Sequence, residues 1–151
     1  MGEIAKRLRE LGLELPVAAK PVANYVPWVK SGNLVFIAGQ LPMKDGKLEH
    51  IGGLTVTGPG AQAARLCAIN ILSQLREACS GDLNRVVRVV KLVGFVNSAS
   101  VELGIPQVVN GASDLMVEVF GERGKHARSA VGVSQLPLDA SVEVEAIVEI
   151  A

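Results

Sequence analysis

The sequence predicts an α+β domain in which two helices cover one face of a β-sheet. Three observations carry this. Runs of β-branched residues with two-residue alternation fall at 34–38, 86–96, 129–133 and 141–150. Between them lie two longer stretches, 59–80 and 105–120, whose apolar residues recur every three or four positions. The chain has 151 residues, 49% of them hydrophobic, enough for one domain with its own core. Strands, helix, strand, helix and two strands in that order match helices packed on one side of a sheet.

The elements follow in order. Ile4, Leu8 and Leu11 form one face of a short amphipathic helix whose other side carries Lys6, Arg7, Arg9 and Glu10. Gly12 and Pro16 end it, and Pro21 and Pro27 keep the next segment extended. Two domain segments result, an amino-terminal helical extension at 1–16 and the main domain at 17–151. Apolar runs at 25–28 and 34–38 flank the polar 30–33 and predict a hairpin. Asp45-Gly46 predicts a second tight turn.

Pro59 opens the first long helix, in which Ala61, Ala64, Ala68, Ile71, Leu75 and Ala78 form the core stripe before Gly81 stops it. In the strand at 86–96, Val90, Leu92, Gly94 and Val96 alternate with Lys91, Val93 and Phe95. The second helix carries Val108, Val109, Leu115, Met116 and Val119, and the last strand alternates Val142, Val144 and Ala146 with Glu143, Glu145 and Ile147. Val142 and Val144 have few partners left in so short a chain, so oligomerisation is expected to cover the second sheet face.

Charge and composition exclude several functions. Fifteen basic residues balance fifteen acidic ones, and aromatics are 3%, so neither a global field nor a stacking platform recommends nucleic acid. Apolar runs are too short for a spanning helix, and a cytoplasmic protein without a membrane partner is expected. Cys67 and Cys79, twelve residues apart on one helix, face about 120° apart and cannot pair within it; buried free thiols are expected. His50 and His126 are the only histidines, and no zinc spacing occurs, so no metal is expected. Gly58, Gly60 and Ala63 spell a dinucleotide-type motif, but the following strand runs into Asn97 and Ser98 rather than an acidic residue, which leaves a helix-opening loop.

Chemistry concentrates near the carboxy terminus. Arg123, Lys125, His126 and Arg128 crowd four bases ahead of an apolar strand. Lys125 and His126 read as solvated loop residues. Arg128 begins the alternating run 128–133, where an arginine either pairs with a core carboxylate or offers its planar fork to a substrate anion. Glu143 and Glu145 share one side of the last strand, either in solvent or lining a cleft where a glutamate near a guanidinium can orient water.

Two motifs in this order resemble a known family. Ala127-Arg128-Ser129, continuing through Leu136-Pro137 to 142–147, and the stretch 34–42 ending in Gly39-Gln40-Leu41-Pro42, are similar to the RidA/YjgF reactive-intermediate deaminases, also known as L-PSP endoribonucleases. The resemblance spans about residues 22–150. It implies a chorismate-mutase-like subunit with a mixed β-sheet, assembled as a homotrimer with clefts between neighbours. It also implies cofactor-free hydrolysis of 2-aminoacrylate- and 2-iminopropionate-type enamines and imines to 2-keto acids and ammonia. By that resemblance Arg128 clamps the substrate carboxylate and Glu143 positions water. Tyr25 packs on the substrate from the adjoining subunit, Asn110 shapes the pocket, and backbone groups of Gly39 and Ala130 complete it. Ala38 and Ala130 depart from the serine and cysteine common in the family, and the loop at 97–107 is longer. The competing functions are a non-catalytic protein that binds small carboxylates in the same cleft, and a ribonuclease.

Overall fold

The computed structural model describes residues 2–151. A first helix, α1 (Glu3–Glu10), leads through an extended segment to the hairpin of β1 (Trp28–Ser31) and β2 (Leu34–Gln40). The two-residue strands β3 (Met43–Lys44) and β4 (Lys47–Leu48) follow, then the long helix α2 (Thr57–Ala78), β5 (Val86–Asn97), α3 (Ile105–Phe120), β6 (Ala127–Val133) and β7 (Val142–Ile150). Five strands form one sheet in the order β1-β2-β7-β5-β6. The β5–β6 pair is parallel and its neighbours antiparallel, so the sheet is mixed. The parallel pair requires a crossover, and α3 supplies it.

The first hairpin sits later than the sequence predicts. Its first strand occupies Trp28–Ser31 rather than 25–28, and the turn is only Gly32 and Asn33, with Gly32 at φ +61°. Pro27 cannot donate to a ladder, so pairing begins after it. The second turn is as expected: Asp45 and Gly46 both take positive φ between β3 and β4. In β5 the inward residue of the first half is Val89 rather than Val90, because the ladder to β7 slips between Val89 and Lys91.

The core lies between the sheet and α2 and α3. Val142 and Val144 are fully buried there, together with Val35, Leu92 and Val96, and face Ile71, Leu75, Val108 and Leu115. These two valines are therefore covered by the chain's own helices, contrary to expectation. The face that lacks a cover is the other one, where Val29, Phe36 and Val131 are 50%, 42% and 43% exposed. Ladder registry puts Lys91, Val93, Phe95, Glu143, Glu145 and Ile147 on that same open face.

The two helices approach closely at small residues. Gly60 of the dinucleotide-like motif lies within the first turn of α2, and a Cβ there would meet Val108 Cγ2 at 2.7 Å and Leu54 Cδ1 at 2.9 Å. Helix packing accounts for this glycine. Across the same interface Gly111 stands against the backbone of Ala61. Helix α1 docks by Ile4 and Leu8, both in the core cluster, and the Arg7 Nε donates to the Glu118 carbonyl at 2.7 Å. Cys67 and Cys79 are buried and free, and no helix among the described residues is long and apolar enough to cross a membrane.

Candidate functional site

Arg128 lies on β6, an edge strand, and registry with Leu92 aims its side chain toward the helical layer. There α3 presents Asn110 and Ser113, three residues apart and so on one helical face. The Arg128 Nη1 donates to Asn110 Oδ1 at 2.7 Å and to Ser113 Oγ at 3.2 Å. None of the three ion pairs among the described residues includes Arg128. Its fork is therefore held by two neutral acceptors. Of the two readings that the sequence leaves open, pairing with a core carboxylate is not what the structure holds. Arg128 and Asn110 meet as a pair; Ala130 follows two residues along the same face and packs partly on the core.

His126 is not the solvated loop residue expected from its charged neighbourhood. It is partly buried, with Nδ1 2.6 Å from the Gly124 carbonyl and Nε2 2.9 Å from Ser113 Oγ. Burial lowers its pKa, the Arg128 charge lowers it further, and the Gly124 hydrogen bond opposes both. Neighbouring Lys125 is exposed as expected and pairs with Glu122 at 2.7 Å. Ser113 and His126 are thus part of the Arg128 environment that sequence reading missed. Spacing alone places Ser113 on the Asn110 face of α3 and His126 two residues before Arg128, but nothing in the sequence brings Ser113 and His126 together.

Glu143 occupies a different place. Phe95 pairs with Glu143 on one side and Val131 on the other, so Arg128 lies three residues away along β6 from the Glu143 row. Its side chain also emerges on the opposite face of the sheet. Within one chain the two do not meet. Glu143 instead lies over Gly39, where a Cβ would come within 2.7 Å of the carboxyl carbon. Only a glycine lets the carboxylate rest there. Burial raises the Glu143 pKa, and the like charge of Glu145 raises it further.

Gly39 and Tyr25 line a cleft of about 250 Å³ with Gln40, Asn70 and Leu138. Tyr25 is 56% exposed. Leu138, which lines this cleft, and its neighbour Asp139 hold positive φ of 56° and 57°. A second cleft of about 350 Å³ lies on the open sheet face between Phe36, Lys91, Val93 and Glu145. Arg128 lines neither. Among the described residues no group of three or more His, Cys, Asp or Glu is placed to hold a metal ion.

One chain thus carries two separated groups, a guanidinium at the β6 edge held by neutral acceptors and a carboxylate of raised pKa over a glycine. A family model described as "YjgF/chorismate_mutase-like, putative endoribonuclease" matches residues 5–150. The chain belongs to the RidA/YjgF family. Protein TCP17 of Trypanosoma cruzi is 50% identical over 159 residues, which covers 99% of this chain and 95% of that protein. A RidA/YjgF relative in Dermatophagoides farinae, named 2-iminobutanoate/2-iminopropanoate deaminase, is 32% identical over 138 residues, 91% of this chain and 94% of its own. Among solved structures, an Agrobacterium tumefaciens protein of unknown function superposes with a TM-score of 0.91 at 50% identity, covering 98% of this chain and 92% of that one. The chorismate-mutase-like α+β fold expected from the RidA/YjgF resemblance is the fold the structure has.

Proposed function

We propose that this protein hydrolyses 2-imino acids and their enamine tautomers to 2-keto acids and ammonia, in a cleft shared between copies of the chain. The observation that carries this reading is the Arg128 fork, braced by Asn110 and Ser113 and free of any carboxylate partner among the described residues. Such a group suits a small organic carboxylate. The Dermatophagoides relative named as a deaminase supports the same chemistry.

In this reading Arg128 binds the substrate carboxylate. Glu143, with its raised proton affinity, receives a proton from the attacking water as oxygen adds to the imine carbon. Glu143 passes that proton to the nitrogen of the tetrahedral adduct. As the carbon–nitrogen bond breaks, the adduct's hydroxyl proton follows it by the same carboxylate, so that ammonia and the 2-keto acid depart. Tyr25 and the backbone of Gly39 border the Glu143 side, while Asn110 and Ala130 border the Arg128 side. Because the two groups occupy opposite sheet faces of one chain, the centre needs Arg128 from one copy and Glu143 from another, in keeping with a homotrimer. No cofactor is required, since imines hydrolyse in water and the protein need only orient the reactants.

The test is complementation between inactive variants, with ammonia release from freshly generated 2-iminopropionate as the measurement. Arg128→Ala alone loses activity, and Glu143→Gln alone lowers kcat by roughly 100-fold or more with little change in KM. Refolding the two together restores a measurable part of the parental rate. Near-parental activity in Arg128→Ala removes the anchor, and a mixture as inactive as its components removes the shared centre. A second reading, binding without turnover, is favoured by Ala38 and Ala130, which offer no side-chain polarity. A parent that binds pyruvate yet releases no ammonia selects it.

A further inference from the structure

We propose that Ser113 and His126 are positioning residues that fix the Arg128 guanidinium in a single orientation, leaving its Nε–Nη2 edge open to an anion. The functional part of this inference rests on the anchor role proposed for Arg128.

With His126 neutral, the hydrogen bonds admit one self-consistent assignment. The Gly124 carbonyl can only accept, so the proton of a neutral His126 sits on Nδ1, 2.6 Å away. Nε2 is then an acceptor, and the Ser113 hydroxyl donates to it at 2.9 Å. With its proton committed, Ser113 Oγ meets Arg128 Nη1 through a lone pair at 3.2 Å. Asn110 Oδ1 takes the other Nη1 proton at 2.7 Å. Both Nη1 hydrogens are thereby used. A guanidinium presents two bidentate edges, and use of Nη1 closes the end-on edge while the side-on Nε and Nη2 pair remains.

The chain begins at a backbone carbonyl, so the orientation is referred to the main chain rather than to another flexible side chain. Gly124 is itself buried in the single helical turn Gly121–Gly124 that joins α3 to β6. Burial and the nearby Arg128 charge both favour the neutral imidazole that this polarity requires. A charged imidazole would turn Nε2 into a donor and set it against the guanidinium through Ser113. Arginine has a large rotameric freedom, and ordering it before the anion arrives improves affinity without touching the reacting atoms.

Two measurements on the intact protein test this. Nitrogen NMR of labelled imidazole reads the His126 tautomer without any ligand: a protonated Nδ1 and a bare Nε2 are expected, and the opposite tautomer overturns the chain. Calorimetric pyruvate binding and imine kinetics read the consequence. Ser113→Ala and His126→Phe each weaken Kd and raise KM about three- to tenfold, the cost of ordering one long side chain, with kcat little changed. Ser113→Thr, which keeps the hydroxyl, restores both constants. The double variant is no worse than either single one, because both break the same chain. Additive losses, or an unchanged Kd in a folded Ser113→Ala protein, overturn the proposal. Should Ser113→Ala fail to fold, His126→Gln, which retains an acceptor near Nε2, carries the same comparison. A parent that binds no 2-keto acid defeats the anchor reading, while the tautomer measurement still decides the hydrogen-bond chain.

Discussion

His126 shows how a single residue makes stability depend on pH. Its pKa in the folded protein lies below the ordinary 6.5, chiefly through burial and then through the Arg128 charge. Below that ordinary value the unfolded chain takes up the proton first. The stability contributed by neutral His126 is therefore present above pH 6.5 and lost as pH falls toward the lowered folded value. Urea midpoints are expected to drop across this window in the parent and to drop less in His126→Phe. Glu143 has the opposite sign: its raised folded pKa means that the folded state holds the proton more tightly, and the advantage disappears as pH rises through that value. Arg128 and Glu143 were both legible as anomalies, an arginine in an alternating strand and a carboxylate beside hydrophobic neighbours. Their relation was not. Alternation within a strand defines two faces, but which residues of β6 and β7 share a face depends on registry through β5, which no local pattern encodes. The Ser113–His126 contact was hidden for a similar reason, since it joins a helix to the start of a strand across 13 residues.

At the scale of elements, the helical layer depends on close approach at small residues. Gly60→Ala puts a methyl group against Val108 and Leu54 in an interface already filled, and a loss of about 1 to 3 kcal/mol is expected from urea denaturation. The same change at Gly58, where a Cβ has open space, should be close to neutral and serves as the control. Helix α3 was legible at both ends, Ile105–Phe120, because Pro106 suits a first turn and Gly121 supplies the positive φ at its close. Its apolar stripe did the rest. The first hairpin was misplaced because hydrophobicity in 25–28 outweighed Pro27, whose carbonyl accepts from Ala38 while its nitrogen can donate nothing. In β5 a one-residue slip moved the inward position from Val90 to Val89, and such slips leave no mark in composition.

For the whole molecule, the open sheet face is the surface on which the proposed sharing of a cleft between copies can be tested. Val142 and Val144, the residues expected to need a partner, are buried by the chain's own helices, and the uncovered apolar residues are Val29, Phe36 and Val131. Exposed apolar side chains set among Lys91, Glu143 and Glu145 suit contact with further copies of the chain. Phe36→Asp is expected to shift sedimentation from an assembled species to a monomer. The proposed deaminase activity should fall with it, while the His126 tautomer persists because its hydrogen bonds are internal to one chain. An active monomer would separate assembly from catalysis.

Cys67 and Cys79 carry a different consequence. Each has no exposed surface, and burial pushes both thiols up. Neither offers a thiolate to oxidants or alkylating reagents while the fold stays closed. Covalent labelling of the native protein can then proceed only as often as the core opens, so the chain contains its own clock for that opening.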